Sequence, residues 1–172
     1  MNLHQMNAGY EAEADRILFR FNTREGQVFS FHLTRRFVRL LWPVLTDLLK
    51  TDLRRRAPEN AHAAEALLDF EREKTLAGTD FRTPFAAGDA SHPLGKGPVL
   101  LSRIQVKEAA GGGRLLCLLP SRGAGVTLPA HPRFLHTFAQ LIREASGRAQ
   151  WDLRLSETGR APAGPSPDAR LH

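Results

Sequence analysis

Two stretches near the start of the chain alternate between large apolar and polar residues. Arg16–Thr23 puts Ile17, Phe19 and Phe21 on one side and Arg20 and Asn22 on the other, and Gln27–Leu33 puts Phe29, Phe31 and Leu33 on one face. A period of two is the signature of a half-buried strand. The connection Arg24-Glu25-Gly26 then fixes the register. A two-residue turn would set Phe21 opposite Val28 and send the aromatic faces to opposite sides. A three-residue loop with Gly26 left-handed pairs Phe21 with Phe29, Phe19 with Phe31 and Ile17 with Leu33, which buries every large residue together. It also leaves Arg20 facing Ser30 and Leu18 facing His32 on the second face.

The period changes at Thr34. Phe37, Leu40, Leu41, Val44 and Leu48 recur at three- and four-residue intervals, with Thr34 as N-cap, which predicts a helix ending around Leu53–Arg56, before Pro58. Val38, Leu45 and Leu49 widen its apolar side, and Pro43 crowds the carbonyl of Arg39 and predicts a kink near Trp42. Glu59–Leu76 reads as a second helix carrying Leu67, Leu68 and Phe70. Residues 78–98 are rich in Gly and Pro without a period, a long connection with Phe81 and Phe85 as its anchors.

Strand patterns return at Val99–Lys107, Arg114–Leu119 and Val126–Leu128. The unbroken apolar run Leu115–Leu119 suits a central strand covered on both faces. Pro132 opens a third helix with Phe134, Leu135, Phe138, Leu141 and Ile142 on one face and Gly147 as its stop. Trp151–Leu155 reads as a short edge strand. Residues 1–13 show no firm period and read as a flexible leader, and 157–172 as a disordered Pro/Gly/Ala tail. The order β-β-α-α-loop-β-β-β-α-β predicts a single α+β domain over 14–156, with a mainly antiparallel sheet and helices packed on one face.

Composition narrows the function classes. Hydrophobic residues make up 42% of the 172, enough for a core, and no apolar run reaches the ~18 residues of a membrane span. No membrane partner is expected. The N-terminus lacks a secretory layout and one cysteine cannot form an internal disulfide, so a cytoplasmic protein is expected. Arg and Ala are abundant in a manner of bacterial type. Of 24 basic residues 20 are arginine, against 18 acids, for a net charge of +6. That charge suits an anionic partner, although it serves solubility equally well.

Candidate chemistry is sparse. Arg35 and Arg36 stand at the start of the first helix, where the macrodipole is already positive and acids are the usual occupants. With Arg39, Lys50 and Arg54 further along one stripe, they form a candidate anion or nucleic-acid surface. Opposite the Leu-rich stripe the same residues also serve as an ordinary solvated face, with Asp15 or Glu11 neutralising them. Val38, Trp42, Leu45 and Leu49 lie outside the primary apolar stripe and are candidates for a partner surface.

His62, Glu65 and Asp69 share a helix face at metal-ligand spacing but lack a fourth ligand, and no metal or cofactor is called for. Cys117 sits inside a Leu-rich run as a small buried hydrophobe. Ser102 and Ser121 lie outside any nucleophile elbow, and Gly95-Lys96 lacks the rest of a P-loop. The expectation is a non-enzymatic protein–protein interaction or assembly module, able to self-associate. Anion or nucleic-acid binding through the first helix is the alternative, and an enzyme without a recognisable motif the third.

Overall fold

The structure is a computed structural model describing residues 2–80, 83–86, 90–153 and 155. It is an α+β fold of seven strands in two mainly antiparallel sheets, with three α-helices. The first sheet runs in the order β1 (Leu3–Glu11), β2 (Arg16–Thr23), β3 (Val28–Leu33) and β4 (Val99–Leu100), the last joining β3 in parallel. The second consists of β5 (Arg103–Glu108), β6 (Arg114–Leu119) and β7 (Val126–Pro129). Between β3 and β4 in sequence come α1 (Arg35–Arg56), a 3-10 turn at Pro58–Ala63 and α2 (Ala64–Ala77), and α3 (Pro132–Arg148) follows the second sheet.

The β2–β3 hairpin has the register its aromatic residues demand: Ile17 faces Leu33, Phe19 faces Phe31 and Phe21 faces Phe29. Gly26 adopts φ +72°, a left-handed conformation that costs glycine little and a side chain more. Phe19, Phe21 and Phe31 are fully buried, and the Phe138 ring of α3 lies 4.5 Å from that of Phe19, centroid to centroid, tilted by 37°. Leu116, Leu118 and Leu128 of the second sheet join the same continuous core. Cys117 is buried beside the Thr127 hydroxyl, as its Leu-rich run predicts, and β6 is the middle strand of its sheet. At the β6–β7 turn a Cβ on Gly125 would lie 2.1 Å from the Leu118 carbonyl oxygen, so only glycine fits there.

The segment read as a leader is a strand. Eight residues of β1 pair with β2, and Met6, Ala8 and Tyr10 pack toward the core. Their period of two is present in the sequence, but small and polar neighbours (Asn7, Gly9) dilute it. Val99–Lys107 divides at Leu101–Ser102 into β4 and β5, one strand for each sheet. α1 begins under the Thr34 cap, whose hydroxyl accepts from the Phe37 N–H, and continues through Pro43 to Arg56. Leu40, part of the apolar repeat of α1, and Phe70 of α2 are 48% and 63% exposed.

The end of α3 also departs from the reading. The helix passes Gly147 and closes after Arg148, with Gln150 at φ +51°, its N–H donating to the Gly147 carbonyl and that of Trp151 to the Ser146 carbonyl. This is the paired bonding of a Schellman stop, and the residue after the left-handed position is the buried Trp151. Burial of that ring places the stop three residues beyond the glycine. The described residues 151–153 and 155 form no strand. The tail 157–172 lies outside the described residues.

Trp151 instead clasps the β1–β2 turn. Its indole N–H donates to Asp15 Oδ1 at 2.8 Å, the Tyr10 hydroxyl donates to the same oxygen at 3.0 Å, and the two rings meet edge-on. The Trp151 and Tyr10 hydrogen bonds hold the Asp15 carboxyl below its ordinary value, and the Asp15 bond raises the Tyr10 phenol above 10.0. A depressed carboxyl contributes stability above its unfolded pKa of about 4, and the contribution is lost as pH falls through the lower folded value. A raised phenol contributes below its unfolded pKa of about 10 and loses that as pH climbs. The contribution of the clasp to stability is therefore complete between the two unfolded values, about pH 4 and 10. Asp15→Asn should flatten the pH dependence of the unfolding midpoint below pH 4, followed by tryptophan fluorescence. An unchanged acid limb would show that the clasp does not couple to folding.

The outer face of the first sheet carries a strap. Asn22 donates to the Ala86 carbonyl at 2.9 Å and exchanges hydrogen bonds with Gln5, while the Phe85 ring lies 4.9 Å from the Arg20 guanidinium. Phe85 thus anchors part of the long connection, as expected, and Phe81 lies outside the described residues.

Candidate functional site: the exposed face of helix α1

At 3.6 residues per turn, Arg35, Arg36, Arg39, Lys50 and Arg54 fall within an arc of roughly 100° and spread over about 28 Å of helix. Arg35, Arg36, Arg39 and Arg54 are exposed and Lys50 is half-buried. Asp47 is the acid among them, and Leu40 borders the stripe. Arg36, Arg39 and Arg54 form no ion pair with any described residue. Arg35 lies close enough to Asp15 to help depress that carboxyl. The five candidates are thus one surface, as the spacing implies, and the first turn of α1 contains no acid.

Its neighbours Arg55 and Arg56 are engaged elsewhere. Arg56 bridges Asp52 and Glu71, tying α1 to α2, and both carboxylates raise its pKa further. Arg55 donates to Asp52 and to the Gly112 carbonyl at 2.6 Å, tying α1 to the β5–β6 turn. The run of three arginines therefore divides: Arg54 faces solvent and the other two brace the fold.

The apolar candidates are elsewhere than expected. Val38 and Leu45 are fully buried, and Trp42 and Leu49 are 6% exposed, all in the chain's own core. α1 packs against α2 and α3 together, and the Arg143 guanidinium covers Trp42 at 5.3 Å from the ring centroid. The broad apolar side of α1 answers two neighbouring helices and leaves these four residues no part in an exposed partner surface. Among the described residues no group of His, Cys, Asp or Glu is placed to hold a metal ion, and the His62 side chain lies outside them. No helix is long and apolar enough to cross a membrane among the described residues.

Arg133 is not among the residues the sequence pointed to, and Arg24 stood out only as a basic neighbour of the hairpin phenylalanines; the fold brings the two to one cavity although 109 positions separate them. The one local signal was Arg133 directly after a helix-opening proline, where an acid is the usual choice. Comparison adds no relative: no family model, no curated protein and no solved structure matches the chain.

Proposed function

We propose that the chain is a non-enzymatic binding module that holds a polyanion, the phosphate backbone of a nucleic acid, along the exposed face of α1. The observation that carries this reading is the row Arg36, Arg39 and Arg54, without an ion pair among the described residues, which runs with Arg35 and Lys50 along one helix. Guanidinium groups bind phosphate oxygens bidentately and stay charged at every physiological pH. A helix start with free N–H groups and no acid strengthens the field at the Arg35/Arg36 end. Such contacts position a backbone without reading its sequence.

Labelled single- and double-stranded nucleic acid should bind with an affinity that falls steeply between low and physiological salt, because each neutralised phosphate releases counterions. Arg36→Glu should weaken binding by roughly tenfold and make the salt dependence shallower. Passage through heparin without retention at physiological salt, or equal binding by Arg36→Glu, defeats the reading.

A second reading, self-association, is favoured by one observation on another surface. The Ala109 N–H bonds to the Gly113 carbonyl, which fixes the β5–β6 ladder so that Ile104, Val106 and Glu108 direct their backbone groups away from β6. Among the described residues no strand pairs with that edge, and Val106 is 38% exposed. An open edge of this kind is a template for another strand. Light scattering distinguishes the cases: a dimer lost in Val106→Lys supports edge pairing, and a monomer at all concentrations rejects it.

A further inference from the structure

We infer that the cavity between β1 and the first turns of α3 binds a small amphiphilic anion, one acidic head group on an apolar body. The cavity measures about 710 Å³, within the roughly 300–1,000 Å³ of small-molecule sites. Its wall is divided by chemistry. Met6, Phe134 and Leu141 supply an apolar part, the last two almost wholly buried. Arg24, from the β2–β3 turn, and Arg133, from the first turn of α3, supply the charge, and neither pairs with an acid among the described residues.

Asp80 is the acid on this lining among the described residues, and its carboxylate accepts from the backbone N–H and hydroxyl of Thr83. His131 also lines the cavity. Its Nδ1 accepts the Arg133 N–H at 3.3 Å, so the neutral ring carries its proton on Nε2. Both cations line the cavity that α3 opens onto, where the field of a 17-residue helix is already positive and no acid occupies its first turn. An apolar wall beside uncompensated cations matches a ligand with both characters, because each part alone would leave the other wall unsatisfied.

The site is separate from the α1 face, and its test is independent of that reading. The probes are decanoate, acetate and decyltrimethylammonium, titrated into the full chain by calorimetry, with the thermal midpoint as second readout. Decanoate should bind one to one with a dissociation constant below about 1 mM and raise the midpoint, while acetate and the cationic probe bind at least tenfold more weakly. Arg24→Ala and Arg133→Ala, both exposed and expected to fold, should each weaken decanoate by about tenfold. Arg36→Glu should leave it unchanged.

The inference is overturned by no saturable decanoate binding, by equal binding of acetate or of decyltrimethylammonium, or by arginine variants that bind decanoate like the parent. Loss of decanoate binding in Arg36→Glu would also overturn it, by assigning the anion to α1.

Discussion

Phe19→Ala should lower the unfolding free energy by about 3–5 kcal/mol, among the largest losses open to a single truncation in this chain. Phe19 occupies the middle strand pair of the first sheet, opposite Phe31, with Phe21 beside it and Phe138 of α3 across the layer. Its ring is completely removed from solvent. Truncation removes apolar burial and leaves a space that the strand, bonded on both sides, cannot collapse to fill. Chemical denaturation of the two proteins measures the difference. A loss below 1 kcal/mol would mean that the hairpin and α3 do not share one core.

Trp42→Ala carries the second large effect, about 3–5 kcal/mol, and it discriminates between two roles for one residue. As an interface anchor, Trp42 would lose assembly on truncation and keep most of its monomer stability. As the structure places it, buried under Arg143 and inside the core, truncation should destabilise the monomer itself. Denaturation at two protein concentrations separates these outcomes. A midpoint that depends on concentration in the parent but not in Trp42→Ala would return the residue to an interface.

Where sequence reading succeeded, one arrangement satisfied several constraints together. The β2–β3 register followed because loop length, Gly26 and six large side chains all required it. Thr34 as cap and the basic stripe of α1 followed from helical geometry alone. It failed where long-range burial overrode a local sign. The small residues of β1 gain their strand character from pairing with β2. The stop of α3 is displaced from Gly147 by the burial of Trp151. The broad apolar side of α1 was ambiguous in principle, since periodicity tells that a face is covered but not by what. The cavity was illegible for a similar reason, because Arg24 and Arg133 come to line one cavity only after the first sheet and α3 have assembled.

The Asp15–Trp151 clasp joins positions 136 residues apart, and this has a consequence for synthesis on the ribosome. The aromatic hairpin emerges well before α3 and Trp151, which complete its cover. At about 5–20 residues per second, the roughly 100 residues between Leu33 and Phe134 take some 5–20 s to make. For that interval the phenylalanine face of the nascent hairpin waits without α3, as transiently exposed apolar surface of the aggregation-prone kind.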